Sequence, residues 1–174
     1  MRSGLVLVLG GARSGKSAYA EKVVTGSGLH AVYVATAIAG DEEMSARIAE
    51  HRSRRDPRWK TIEAPDRLEQ ALRAEAGEGV AVLVDCLTLW LSNLILARDD
   101  IEVRSRRLIE AAKTAAGLRV LVANEVGLGL VPDNPLGRRF RDAQGRLNQA
   151  VAAAANIVVF MAAGLPLMLK GKIE

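Results

Sequence analysis

The sequence has one cysteine, few aromatic side chains and no long run of apolar residues, and each shortage excludes a class of protein. A single thiol, Cys86, cannot close an internal disulfide, which excludes a disulfide scaffold and favours the reducing cytoplasm. Aromatic residues make up only 3% of the chain, which leaves no stacking platform for nucleic-acid bases. The first apolar run, residues 5–9, is too short for a membrane helix and leads into a glycine-rich loop, so we expect neither a membrane span nor a signal peptide.

The rest of the composition is typical of one α/β domain, which we expect to span residues 1–174. Hydrophobic residues make up 49% of the chain, and with few aromatics among them the core must be aliphatic, as in a buried parallel sheet. The net charge of +4 and the pI of about 9.6 leave nucleic acid as a possible partner. The basic residues are interleaved with acids, however, so nucleotide phosphates account for them better.

Five short apolar runs alternate with segments of helical spacing, which predicts a mostly parallel sheet with helices on both faces. The runs are residues 5–9, 31–35, 80–84, 119–123 and 156–161. Residues 59–63 form a shorter extended piece, either an added strand or part of a flap. Residues 165–172 are apolar around Pro166 and are expected to form an antiparallel edge strand.

A phosphate-binding loop of the pattern G-x-x-x-x-G-K-[ST] follows the first run. Its glycines let several backbone N–H groups turn towards phosphate, and the helix that follows adds the positive end of its dipole. We expect Lys16 to reach the β- and γ-phosphates of a nucleoside triphosphate and Ser17 to ligate Mg²⁺. The loop consists of Gly10, Gly11, Ala12, Arg13, Ser14, Gly15, Lys16 and Ser17.

Polar residues follow two later strands at the edge where this loop lies. Asp85 ends the run 80–84 and is predicted to be the second Mg²⁺ partner, although it can also cap a helix over residues 87–96. Asn124 and Glu125 follow the run 119–123, and ligands of parallel sheets bind beyond such strand ends. Glu125 either orients or deprotonates an attacking hydroxyl, or closes a structural turn.

Two further segments combine helical spacing with clustered arginines. Pro135 opens a predicted helix whose arginines, at positions 138, 139, 141 and 146, either clamp phosphate or form a solvated face. The segment 41–55 begins with acids and ends with arginines, which predicts a helix to about Arg52. Nearby guanidinium groups disfavour an imidazolium at His51, so His51 is either a neutral nucleophile for phosphorus or a helix-end cap.

Together these segments resemble one enzyme family, the bifunctional adenosylcobinamide kinases and adenosylcobinamide-phosphate guanylyltransferases, which have a RecA-like P-loop fold. The resemblance covers nearly the whole chain in order. The matching stretches are GGARSGKS from Gly10, DEEMSARI-x-x-H ending at His51, RWKTIEAP from Arg58, NEVGLGLVPDN from Asn124 and FRDAQGRLNQ from Phe140.

The resemblance implies two reactions in the assembly of the nucleotide loop of coenzyme B12. ATP or GTP first phosphorylates the aminopropanol hydroxyl of adenosylcobinamide. GTP then donates GMP to adenosylcobinamide phosphate through a GMP-histidine intermediate, for which His51 is the matching residue, and pyrophosphate leaves. The resemblance further implies a homotrimer.

The same resemblance implies contacts to the guanine nucleotide from two segments, Ala35, Thr36 and Ala37, and Arg52, Ser53, Arg54 and Arg55. A carboxylate that accepts the N1–H and N2–H of guanine is either Glu63 or Asp85. Two departures are visible. Glu50 stands where relatives are expected to have a second histidine, and Asp85 stands where they are expected to have glutamate.

Two other functions fit parts of the sequence. A plain small-molecule kinase would use the phosphate-binding loop without any histidine chemistry. A nucleotide-binding protein without enzymatic activity, or an NTPase linked to nucleic acid, is supported mainly by the basic pI.

Overall fold

A seven-stranded sheet runs through the part of the chain that the computed structural model describes, residues 1–38, 42 and 57–172. Its strands, in chain order, are β1 (Gly4–Gly10), β2 (His30–Ala35), β3 (Lys60–Glu63), β4 (Val80–Asp85), β5 (Leu118–Asn124), β6 (Ile157–Ala162) and β7 (Leu165–Lys170). Their order across the sheet is β3-β2-β4-β5-β1-β6-β7. All neighbouring pairs are parallel except β6 and β7.

Helices in the described residues connect these strands and cover both faces of the sheet. They are α1 (Lys16–Gly26), α2 (Leu68–Glu75), α3 (Leu87–Leu96), α4 (Ile101–Thr114) and α5 (Pro135–Ala154). One core cluster joins Leu68, Trp90, Leu108 and Leu147, which lie on the last four helices. The other cluster includes Ala20 and Val24 of α1. A sheet covered in this way is buried on both faces, which explains its continuous aliphatic strands.

The predicted strands are all present. The five core runs became β1, β2, β4, β5 and β6. The predicted extended piece at residues 59–63 contains the edge strand β3, which pairs with β2 as an added strand. The tail forms β7, antiparallel to β6, as its Pro166 suggested. The predicted helix over the segment 41–55 lies outside the described residues, apart from Glu42.

The parallel strands end at one edge of the sheet, and their register fixes what meets there. Gly10 pairs with Asn124, and Ala35 pairs with both Glu63 and Asp85. The sheet therefore brings the end of the phosphate-binding strand and the predicted acidic residues to the same edge. Among the helices of the described residues, none combines the length and the apolar character needed to cross a bilayer.

Candidate functional site

The phosphate-binding loop leaves β1 at Gly10 and enters α1 at Lys16. Two of its residues adopt left-handed backbone conformations, Arg13 with φ 56° and Gly15 with φ 90°. Gly10 is required for close approach, because a Cβ there would lie 2.5 Å from Ser14 Oγ and 2.7 Å from the Met161 carbonyl oxygen. The loop is therefore shaped by close backbone packing at its base as well as by its turns.

Lys16 folds back over the loop, where its Nζ donates to the Gly11 carbonyl oxygen at 3.0 Å. Burial lowers the pKa of Lys16, and the charges of Cys86 and Asp85 act in the opposite direction. Burial also raises the pKa of the Cys86 thiol to about 11, so that thiol is neutral at neutral pH. Asp85 is then the negative group near the ammonium, and a bound phosphate would supply a second one.

Ser14 links the loop to the turn between β6 and β7. Its N–H donates to the Gly11 carbonyl at 3.3 Å, and its own carbonyl accepts from the Gly164 N–H at 3.0 Å. The Ser14 hydroxyl is buried and has no hydrogen-bond partner among the described residues. This hydroxyl lies at the base of the loop, beside Gly10, and not on its solvent side. No local pattern in the sequence indicates that Gly164 supports the loop.

Asp85 is the last residue of β4, and its Oδ2 accepts a hydrogen bond from the Tyr33 hydroxyl at 3.0 Å. The alternative role as a helix cap is not realised, because α3 has Cys86 at its N-cap and no side-chain capping bond. The peptide bond between Asp85 and Cys86 is cis. Tyr33, a residue of β2 that is not among the predicted site residues, thus holds the carboxylate in place.

The segment after β2 is fixed by Thr36, which is fully buried. Its hydroxyl donates to the Cys86 carbonyl and accepts from the Cys86 N–H. The Asn93 side chain donates to the carbonyls of both Thr36 and Pro65 at 2.9 Å. Because Thr36 points into the protein, Ala35 and Ala37 are the half-buried residues of this segment that remain accessible to a nucleotide.

The predicted Mg²⁺ partners offer a hydroxyl and a carboxylate, the hard oxygen donors that this ion prefers. Ser17 is half-buried in the first turn of α1, and Asp85 is half-buried at the end of β4. Within residues 1–38, 42 and 57–172, no group of three or more His, Cys, Asp or Glu side chains could form an all-protein metal site. Mg²⁺ commonly uses one or two protein ligands plus water and substrate phosphate, so this donor set fits it.

The end of β5 lies beside the loop. The Glu125 N–H donates to the Gly10 carbonyl at 3.1 Å, and Glu125 Oε1 accepts from the Gly127 N–H at 2.6 Å. One carboxylate oxygen therefore closes a structural turn, one of the two alternatives for this residue. The Asn124 N–H donates to Thr88 Oγ1 at 2.8 Å, and Asn124 Oδ1 is buried without a partner among the described residues.

A buried polar pair on α5 supports this strand end. Gln144 Nε2 donates to Asn148 Oδ1 at 2.8 Å, and Asn148 Nδ2 donates to the Asn124 carbonyl at 3.1 Å. Neither residue is among the predicted site residues. Their signal was an amide pair at i, i+4 spacing between Ala143, Leu147 and Val151, which are apolar and buried.

The remaining predicted residues divide into three groups. Glu63 is exposed at the end of β3, on the other side of Ala35 from Asp85, so both candidate guanine readers flank the end of β2. Arg138 holds the carbonyls of Pro132 and Asp133, which makes it a structural residue of the loop before α5. The last group lies outside the described residues and comprises His51, Arg52, Ser53, Arg54 and Arg55.

Solved structures with low sequence identity share this fold. The flagellar accessory protein FlaH from Methanocaldococcus jannaschii matches with a TM-score of 0.55 and 12% identity, over 97% of this chain and 79% of that chain. An ATPase from a bacterial type III secretion system matches with a TM-score of 0.59 and 10% identity, over 95% of this chain and 56% of that chain. These likenesses confirm the predicted P-loop NTPase fold class.

Much closer similarity is found to curated proteins. The bifunctional adenosylcobalamin biosynthesis protein CobP of Pseudomonas aeruginosa is 51% identical over 95% of this chain and 97% of its own length. The bifunctional adenosylcobalamin biosynthesis protein CobU of Escherichia coli is 37% identical over 95% of this chain and 99% of its own length. The family model CobU, cobinamide kinase / cobinamide phosphate guanyltransferase, matches residues 6–169. The chain therefore belongs to the cobinamide kinase / cobinamide phosphate guanyltransferase family.

Proposed function

We propose that this protein phosphorylates adenosylcobinamide with ATP or GTP and then transfers GMP from GTP to adenosylcobinamide phosphate in the cytoplasm. The observation that carries the proposal is the preformed phosphate-binding loop, with a left-handed backbone at Gly15 and Lys16 Nζ 3.0 Å from the Gly11 carbonyl. Family membership supports the choice of substrates. Together they favour an enzyme that handles nucleotide phosphates in both reactions.

In the kinase reaction the hydroxyl oxygen of adenosylcobinamide attacks the γ-phosphorus, and the bond to the β-phosphate oxygen breaks. The backbone N–H groups of the loop from Gly10 to Ser17 and the Lys16 ammonium hold the phosphates and offset the charge that develops on them. Glu125 is the proposed acceptor of the hydroxyl proton, through the carboxylate oxygen that does not bind the Gly127 N–H. When bound by Ser17 and Asp85, Mg²⁺ would neutralise charge on the phosphate oxygens.

In the guanylyl reaction His51 attacks the α-phosphorus of GTP, and pyrophosphate leaves. A phosphate oxygen of adenosylcobinamide phosphate then attacks the phosphorus of the GMP-histidine intermediate, which releases the imidazole and forms adenosylcobinamide-GDP. Two displacements allow a large acceptor to enter after pyrophosphate has left. Ala35 and Ala37 with Arg52 to Arg55 are the proposed nucleotide contacts, and Glu63 or Asp85 reads guanine. Thr36, which the resemblance also implied as a contact, is fully buried and instead holds this segment through its hydrogen bonds to Cys86.

Labelling with GTP that carries a radioactive α-phosphate tests the covalent intermediate. Wild-type protein should retain label after denaturation, and acid should release it, because phosphorus–nitrogen bonds are acid-labile. His51→Ala should retain none while still phosphorylating adenosylcobinamide. Lys16→Met should lose the kinase reaction. A wild-type protein that phosphorylates adenosylcobinamide but retains no label would leave a plain kinase and overturn the guanylyl mechanism.

A homotrimer is part of the proposal. Support comes from β7, an edge strand whose Leu165, Leu167 and Leu169 are 71%, 58% and 57% exposed. An exposed apolar edge strand is prone to pairing with another chain, and a second copy would cover it. Analytical ultracentrifugation tests this, since the molecular mass measured for a trimer should be three times the 18.6 kDa chain mass. A monomer at working concentration would refute the homotrimer.

A further inference from the structure

A cluster of exposed apolar side chains follows β5. Leu128, Leu130 and Val131 are 81%, 96% and 64% exposed, and Leu136 in the first turn of α5 is 52% exposed. We call these four residues the apolar rim. They lie within nine consecutive residues of the chain, whereas apolar side chains that are exposed singly are common on protein surfaces. A local concentration of this kind is typical of a binding surface.

Several hydrogen bonds define the backbone that carries the apolar rim. The Gly127 N–H donates to Glu125 Oε1, and Arg138 donates to the carbonyls of Pro132 and Asp133 at 3.0 and 2.8 Å. The Asn134 side chain caps α5 by accepting from the Gly137 N–H at 2.7 Å. These bonds hold the backbone on either side of Leu128, Leu130 and Val131.

The chain segment that leads into the apolar rim is bonded to the phosphate-binding loop. The Glu125 N–H donates to the Gly10 carbonyl at 3.1 Å, only three residues before Leu128. A phosphoryl acceptor must bring its hydroxyl to the γ-phosphate beyond the end of β1. The rest of a large acceptor then extends over the same edge of the sheet, where the apolar rim follows the neighbouring strand β5.

We propose that the apolar rim binds the corrin macrocycle of the acceptor. This inference rests on the proposed function, because it takes adenosylcobinamide as the substrate. A corrin ring has a broad apolar periphery with methyl groups and peripheral amides. Leucine and valine side chains match the apolar part, and Asp133 and Asn134, both exposed, offer polar groups to the amides at the border of the rim. A small hydroxylated acceptor would not require four exposed apolar residues beside the loop.

Replacing two rim leucines tests the proposal. In the Leu128→Ser/Leu130→Ser double variant the KM for adenosylcobinamide should rise about tenfold, since the variant loses most of its apolar contact with the ring. The KM for the nucleotide and kcat should stay close to wild type, because the loop itself is unchanged. Leu96→Ser is the matched control, since Leu96 is 69% exposed at the end of α3. Its acceptor KM should not change.

Two outcomes would overturn the inference. They are an unchanged acceptor KM in the double variant, and an equal rise of the acceptor KM in Leu96→Ser. If the acceptor KM is unchanged and the double variant also has a lower sedimentation coefficient, the apolar rim is assigned to contact with a second copy of the chain.

Binding measurements separate this inference from the proposed function. Adenosylcobinamide absorbs visible light, so its binding to wild type and to the double variant can be followed by spectral titration without turnover. If wild type binds the corrinoid more tightly than the double variant but phosphorylates nothing, the proposed function fails and the inference holds. If wild type turns the corrinoid over and both proteins bind it equally, the inference fails alone.

Discussion

The hydroxyl of Thr36 makes two hydrogen bonds to the backbone of one residue, Cys86, which lies 50 positions further along the chain. It donates to the Cys86 carbonyl at 2.7 Å and accepts from the Cys86 N–H at 2.8 Å. Cys86 directly follows Asp85, so this pair of bonds joins the end of β2 to the strand end that carries the predicted metal ligand. The position of Asp85 therefore depends on a buried threonine that has no direct access to a ligand.

Thr36→Val should destabilise the protein by about 1–3 kcal/mol, because valine keeps the shape but leaves the buried Cys86 N–H without a partner. Urea denaturation measures this change. Thr36→Ser retains the hydroxyl and should cost less, although it loses a methyl group. Equal losses of stability in the two variants would argue against the hydrogen bonds as the cause.

Gly10→Ala should destabilise the fold by about 1–3 kcal/mol, because the new methyl group overlaps Ser14 Oγ and the Met161 carbonyl. The backbone carbonyl belongs to β6 and cannot rotate away. Gly11→Ala is the matched control, since no atom lies within 4 Å of a Cβ there. Thermal unfolding of both variants should separate them, and a Gly10→Ala protein as stable as Gly11→Ala would contradict the packing argument.

Tyr33→Phe should weaken Mg²⁺ activation of the kinase about tenfold, the lower end of the effect expected when a residue that orients a metal ligand is lost. The ring remains to pack against Trp59, whose ring centroid is 6.3 Å away, and the hydrogen bond to Asp85 Oδ2 disappears. The measurement is kinase activity as a function of Mg²⁺ concentration. Trp59→Phe disturbs the ring contact but keeps the Tyr33 hydroxyl. An equal shift in Mg²⁺ dependence in that variant would therefore assign the effect to packing.

Lys16→Met should abolish phosphoryl transfer and yet make the protein slightly more stable at pH 7, by less than about 1 kcal/mol because the ammonium is partly solvated. Burial lowers the pKa of Lys16 in the folded protein below its ordinary value of 10.5. Between the folded and unfolded pKa values the unfolded chain binds more protons, so the stability contributed by this group rises with pH.

The stability advantage of Lys16→Met should consequently shrink as pH rises through the folded pKa of Lys16. Urea denaturation of wild type and variant, at pH 7 and in mildly alkaline buffer, gives the difference in their free energies of unfolding at each pH. An advantage that grows with pH, or a variant that is less stable at pH 7, would show that the Gly11 hydrogen bond outweighs the cost of burying the ammonium.

The fold was largely predictable because buried parallel strands require continuous aliphatic runs, and residues 5–9, 80–84 and 120–123 have no other plausible role. The phosphate-binding loop was predictable because its residue types follow from its backbone geometry. The supports of the site were not predictable. Tyr33 meets Asp85, and Gly164 meets Ser14, only through the order of strands in the sheet, and no local pattern encodes contacts between residues so far apart in sequence.

The strand order also sets the width of the phosphate site. Because β5 lies between β1 and β4, the loop and Asp85 are two strand spacings apart, roughly 9–10 Å across the sheet. Gly10 pairs with Asn124, whereas Asp85 pairs with Val122, two residues earlier on β5. Backbone hydrogen bonds fix both offsets, so the length of the acidic side chain is the dimension left to vary. Exchange of aspartate for glutamate at position 85 would therefore extend the carboxylate by one methylene from the end of β4 while the backbone frame stays unchanged.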